Sequence, residues 1–256
     1  MNPLEMKNPG RISLKDEPPS SVFISWREKV FTPLVAMGLL GISGLAGWEC
    51  HRLFDWGLFA AVLVAGTVNV IVSILAVRLL SAGGRFSPGK YDRDHHPWTL
   101  FAYNLYSFIF STHLYHFTLN PIFVPPTFQV LFLKFLGMRS QGFSMVSGLV
   151  VDPFSVTIES DVIVGSGALI LGHLFNASQQ LRLGEVHIKR GALIGVNAIV
   201  FQDCVIGENA TVCPGAVVVP GTVIPAQEVW SGNPARKDER LSEMAMKGRS
   251  QKSQED

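Results

Sequence analysis

Charge is sparse in this 256-residue chain: Asp, Glu, Lys and Arg make up 16%, and the formal net charge is +1. That balance builds no basic face, which excludes nucleic acid as the main partner. Cysteine is scarcer still. Cys50, Cys204 and Cys213 form no CxxC pair and no even set, so neither a disulfide framework nor a cysteine metal site is expected. A reducing setting is the simpler expectation for such a chain.

Two stretches lack charge altogether. Residues 30–48 and 56–77 are apolar and close to the length that spans a bilayer as a helix. Only seven residues join them, Glu49 to Asp55, so a helical hairpin over 30–80 is expected. Gly38, Gly41, Gly44 and Gly47 in the first run, and Gly57, Ala61 and Ala65 in the second, would let the helices approach closely. The competing reading is a pair of helices buried in a soluble core. Basic residues cluster outside the hairpin, at Arg11, Lys15, Arg27 and Lys29 before it and Arg78, Arg85, Lys90 and Arg93 after it. Arg52 alone sits in the linking loop, so the positive-inside rule places both ends on the cytoplasmic side. Residues 1–29, with four prolines among polar residues, read as a disordered or juxtamembrane lead.

Residues 81–140 read as a connector followed by interfacial helices. Asp92, Asp94, His95 and His96 fall together, but a solvated linker explains them better than a metal site. The stretch 98–119 is aromatic, with Asn104, Ser107 and Ser111 on one helical stripe. It is expected to lie at headgroup level, with Trp98, Tyr103 and Tyr106 near the interface. His113 and His116 share a helix face but lack a third ligand. A short amphipathic helix over 127–137, capped by Gly137, is expected to rest on the membrane too.

From residue 158 the pattern changes. Ile158, Val164, Ile170, Ile188, Ile194, Val200, Ile206, Val212, Val218 and Ile224 stand on a period of six, filling ten of the twelve positions. Small residues follow four places later at Ala168, Ala192, Ala198, Cys204, Ala210, Ala216 and Thr222. A period of six fits neither an amphipathic helix nor an alternating strand; it fits a solenoid of short strands and tight turns over 141–237. Residues 238–256 read as a polar tail, helical at first.

At these residues, and at WSGNPARK (230–237), the chain resembles the hexapeptide-repeat acyltransferases. The resemblance implies a left-handed parallel β-helix with three hexads per coil, a homotrimer, and transfer of an acyl group, acetyl in many members, from acyl-CoA. No permanently bound cofactor and no metal is implied. The order of parts, the LGMR turn (136–139) and DPFSVTI (152–158) are similar to the membrane-embedded C-terminal region of poly-lysine-synthetase-type nonribosomal peptide synthetases. There the donor thioester would sit on a carrier protein. A non-catalytic solenoid is the third reading.

The repeat fails once, between Ile170 and Ile188, where Asn176 and Arg182 cannot be core residues. This segment is expected to leave the wall as a loop, and the resemblance implies that such a loop carries the catalytic histidine. His173 at its root is the candidate base: an imidazole can take the acceptor's proton and return it to the departing thiol. His187 is the alternative, and Asp152 or Glu159 are candidates to orient the ring. Gly191 and Gly195 are candidate N–H donors to the oxyanion. By resemblance Gly215, Ala216, Asn233, Pro234, Arg236 and Lys237 line the far end of the CoA groove, the two cations facing phosphate.

Overall fold

The computed structural model describes residues 26–54, 57–92, 94–114, 126–176, 180–245 and 247. The lead over 1–25, His116, the middle of the 173–181 segment and the end of the tail therefore lie outside the described residues. Helix α1 (Trp26–Phe54) and helix α2 (Leu58–Ser81) form the hairpin. Both are long and apolar enough to cross a membrane, and only 28% and 11% of their most apolar windows are buried. A pair of soluble-core helices would be mostly covered. Of the four glycines in α1, Gly47 marks the close approach: a Cβ there would lie 2.6 Å from the Ala61 carbonyl oxygen and 3.0 Å from Ala65 Cβ.

The solenoid follows as about five coils of three parallel faces. Its register restates the period. On the first face Ser140, Ile158, Ile188, Ile206 and Ile224 stack in line. On the second, Val146, Val164, Ile194 and Val212 do so; on the third, Val150, Ile170, Val200 and Val218. These aliphatics and the interleaved Ala168, Ala192, Ala198, Cys204, Ala210 and Ala216 are buried, which makes the columns the core. Three places after most of these aliphatics the chain turns through a left-handed φ. Gly191 (67°), Asn197 (56°), Asp203 (61°), Asn209 (54°) and Gly215 (69°) occupy these corners, the residue types that tolerate the conformation.

Both ends of the core are closed. Helix α4 (Pro126–Phe135) lies over the first coil, burying Val130 and Leu133, with Gln129 Nε2 donating to the Gly148 carbonyl at 3.0 Å. Gly137 (φ 116°) and Met138 cap α4 by donating to the Lys134 and Leu133 carbonyls, a left-handed C-terminal cap. The opposite side of α4 exposes Phe128, Leu131 and Phe135. So α4 seals the solenoid with one face and keeps an apolar face outward. At the other end Arg236–Lys237 folds back antiparallel on Val229–Ser231 and blunts that edge. A helix opens at residue 239, capped by Asp238 Oδ1 on the Leu241 N–H at 3.0 Å.

Two expectations need correction. The connector is not simply a solvated linker, because Gly89–Tyr91 forms a strand within the fold. Helix α3 (Pro97–Ile109) and the π turn after it (Phe110–Leu114) do not lie apart at a headgroup boundary; they pack against α1 and α2. His113 Nδ1 meets Asn69 Oδ1 at 3.0 Å, midway along α2. Tyr103 and Tyr106 are fully buried rather than interfacial. Phe86 joins them to the solenoid, its ring 5.7 Å from Tyr103, 5.8 Å from Tyr106 and 5.1 Å from Phe154. The two edge-to-face pairs of Phe86 with Tyr103 and Tyr106 each contribute about 0.5–1.5 kcal/mol beyond area burial, which helps set α3 on the wall.

Candidate active site

The site grows from two irregularities at one corner. In regular coils equivalent residues are 18 apart, as Val200 and Val218 are. Val150 partners Ile170 instead, 20 residues on, and the two extra residues make a 3-10 turn at Pro153–Ser155. In the next coil Ile170 partners Val200, 30 residues on. The described part of this excess is not an irregular loop but a pair of strands, His173–Phe175 antiparallel with Leu181–Leu183. Gly89–Tyr91 adds a third strand, with Tyr91 opposite Leu181. Both excesses fall between the third and first faces, so the turn and the hairpin stack.

Asp152 sits fully buried at this junction and gathers three donors. Gly172 N–H reaches its Oδ2 at 3.0 Å, His173 Nδ1 meets the same oxygen at 2.6 Å, and Tyr103 O–H donates to Oδ1 at 3.0 Å. The Ser155 hydroxyl holds the Asp152 backbone carbonyl at 2.9 Å. A carboxylate on Nδ1 fixes the histidine tautomer and leaves Nε2 as the free nitrogen. The His173 side chain is 20% exposed, with the rings of Tyr103 at 5.4 Å and Phe175 at 5.9 Å. Burial by itself would lower its pKa, but the charge and hydrogen bond of Asp152 outweigh burial and hold it above the usual imidazole value. Burial, then the Asp152 charge, pushes the Tyr103 phenol well above its usual value, so it stays a donor.

His173 opens into a cavity of about 580 Å³ between the solenoid and the helices. Leu149 and Val151 floor it, and Tyr103, Asn104 and Ser107 of α3, with Ser111 of the π turn, wall one side. The polar stripe of α3 thus faces the histidine's cavity. Removing the phenol in Tyr103→Phe leaves Asp152 Oδ1 short of a donor, at a cost of about 1–3 kcal/mol. Thermal unfolding of the purified chain should show this as a lower Tm; an unchanged Tm would mean the bond contributes nothing.

Other candidates stand elsewhere. His187, on the first face, turns Nε2 to Glu185 Oε2 at 3.0 Å, while Glu185 Oε1 holds Arg139 Nη2 at 3.0 Å. Glu159 accepts the Arg190 N–H at 3.0 Å and does not reach His173, so of the two carboxylates only Asp152 touches the ring. Gly191 and Gly195 already donate within the wall, to Ser160 and Val212, which spends the N–H groups expected for an oxyanion. Ala216 is a core residue with both backbone groups engaged. Gly215, Asn233, Pro234 and Arg236 are exposed. Lys237 is exposed too but paired with Glu228 at 3.3 Å and Glu239 at 3.0 Å, which leaves Arg236 the freer cation. Among the described residues no three His, Cys, Asp or Glu side chains form a metal cluster. Sequence reasoning missed Tyr103 as a partner of Asp152; its spacing from Tyr106 is that of an interface anchor and carries no trace of a contact 49 residues away.

A parallel β-solenoid joined to an apolar helical hairpin, with a histidine–aspartate pair at the junction, defines the class. No family model matches the chain. One curated relative is Delta-poly-L-ornithine synthetase of Acinetobacter baumannii (strain AB307-0294), 31% identical over 119 residues. The match takes in 45% of this chain but only 9% of that protein's length. Similar solved structures include a hexapeptide-repeat acetyltransferase of Vibrio cholerae O1 biovar eltor complexed with acetyl coenzyme A. It is 19% identical, over 40% of this chain and 58% of that one, with a TM-score of 0.37. A maltose O-acetyltransferase of Clostridium difficile 630 is 15% identical over 60% of this chain and 94% of that one, with a TM-score of 0.45.

Proposed function

We propose that the chain is a membrane-anchored acyltransferase that moves an acyl group, acetyl by first expectation, from coenzyme A to an amine or hydroxyl. The observation that carries this reading is the buried Asp152 holding His173 Nδ1 at 2.6 Å while the ring lines a cavity, which leaves Nε2 for an acceptor. His173 is the general base and Asp152 its positioning residue. The acceptor's proton passes to Nε2 as its lone pair bonds to the thioester carbonyl carbon. The C–S bond then breaks, and the imidazolium returns the proton to the leaving thiolate. The WSGNPARK segment, where Asn233, Pro234 and Arg236 are exposed, supports a CoA donor at the last coil, together with Gly215. The two long apolar helices and the basic residues flanking them support a membrane anchor with the solenoid on the cytoplasmic side. A homotrimer completes the donor groove in this reading.

A second reading rests on the likeness to Delta-poly-L-ornithine synthetase. In it the donor thioester sits on a separate carrier protein, and an amine acceptor is condensed with an aminoacyl or peptidyl group. One assay separates the two. The full chain in detergent is given acetyl-CoA, or a thioester-loaded carrier protein, with a panel of amines and alcohols, and thiol release is followed. Acceptor-dependent release from acetyl-CoA supports the first reading; release from the carrier alone supports the second. No release from either donor contradicts both.

A further inference from the structure

The cavity at His173 lies between the solenoid and the helices, away from the last coil where a CoA donor is placed. Its far wall belongs to the hairpin: Lys29, Thr32 and Pro33 of α1 face it across from α3. Asn104 and Ser107 of α3 and Ser111 of the π turn that continues it all line the cavity, and by helical rise the row runs about 10 Å. Apart from His173 and the two tyrosines, the rest of the lining is apolar, including Phe108, Phe110 and Phe175. Beside the cavity-lining residues of α1, Phe31, Leu34 and Val35 are exposed, so the apolar surface of the hairpin continues to the cavity's rim. Lys29 is the one Lys or Arg among the lining residues, and no carboxylate partners it among the described residues.

An acetyl group needs a small fraction of this space. A polar row, a lone cation and aromatic walls, continuous with a lipid-facing surface, fit an amphipathic molecule held by both its parts. We infer that this cavity is the acceptor site and that it takes a membrane-resident lipid whose headgroup carries a phosphate and a nucleophilic amine or hydroxyl. Lys29 meets the phosphate, the nucleophile reaches His173 Nε2, and the hydrocarbon anchor leaves along α1. This deepens, and rests on, the acyltransferase reading.

The test reads occupancy, not turnover. In the full chain Cys50 and Cys213 are replaced by Ala, and Ser111→Cys places a thiol at the exposed end of the row. Cys204 stays, since burial pushes its thiol up to about 11. Alkylation of the new thiol by N-ethylmaleimide is timed in detergent, with mixed micelles of phosphatidylethanolamine or phosphatidylglycerol added. The matching deacylated headgroups, glycerophosphoethanolamine and glycerophosphoglycerol, serve as the soluble arm. At lipid roughly tenfold above its Kd, labelling should slow about tenfold. The deacylated headgroups should leave the rate unchanged, and Lys29→Ala should require several-fold more lipid. Equal protection by deacylated headgroups would make this a site for soluble acceptors and overturn the lipid inference. No protection by either lipid overturns it too. Protection without acyl transfer from any donor would retain the lipid site and remove the acyltransferase reading; transfer without protection would do the reverse.

Discussion

His173→Ala is expected to lower acyl transfer by about 10²–10⁴-fold, the range a positioned general base supplies. The ring has one nitrogen on a buried carboxylate and itself lines the cavity, and among the described residues no other histidine or carboxylate lines that cavity. His173→Asn, whose amide nitrogen overlays Nδ1, tests the chemistry apart from the bond to Asp152. An amide can still donate to Asp152 but cannot accept a proton at the acceptor, so its activity should be equally low while its Tm stays closer to the parent. His187→Ala should retain activity, because its Nε2 is occupied by Glu185. Measured as initial rates of thiol release, a His173→Ala chain within a few-fold of the parent would remove this residue from the reaction.

The second large effect is expected from a methyl group. A Cβ on Gly172 would overlap Ser155 Oγ, approach Ser155 Cβ to 2.9 Å and lie 3.0 Å from Asp152 Cβ. Ser155 cannot simply rotate away, since its hydroxyl is bonded to the Asp152 carbonyl in a buried turn. Gly172→Ala therefore has to push the 3-10 turn from the hairpin root, an overpacking cost of about 1–3 kcal/mol. The displacement falls on the carboxylate that holds the base, and a misplacement near 1 Å can cost about 10²-fold in rate. Ser155→Ala in the same chain removes the worst overlap, so the double variant should regain part of both Tm and rate. If Gly172→Ala matches the parent in both, the turn and hairpin are not packed as described.

How much of this was legible in the sequence depends on how local each cause is. The hexads predicted the columns because every aliphatic position faces one narrow core, and the corners took Gly, Asn or Asp for the same local reason. The break after Ile170 showed where the wall opens, since Asn176 and Arg182 have no place inside it. What lay beyond sequence was pairing across distance. Gly89–Tyr91 is a short polar stretch whose partner strand is Leu181–Leu183, about ninety residues on, and only that partner makes it a strand. Tyr103 carried the spacing of a membrane anchor, and its bond to Asp152 exists because α3 docks on the corner. The two extra residues before Ile158 carried the carboxylate's place, but with one irregular coil before the repeat settles there was no second instance to set them against.

The central claim is that Asp152 tunes and orients His173 as the base, and the pH dependence of kcat/KM for parent and Asp152→Asn tests it most directly. The base works only when unprotonated, so activity falls as pH drops through the His173 pKa. Asp152 holds that pKa above the usual 6.5, so the parent's acid limb should lie above this value. In Asp152→Asn the raising causes are lost and burial, which lowers the pKa, remains. The limb should then move to lower pH while the plateau rate drops. Limbs that coincide in the two chains, or a limb that moves upward in Asp152→Asn, would contradict the account.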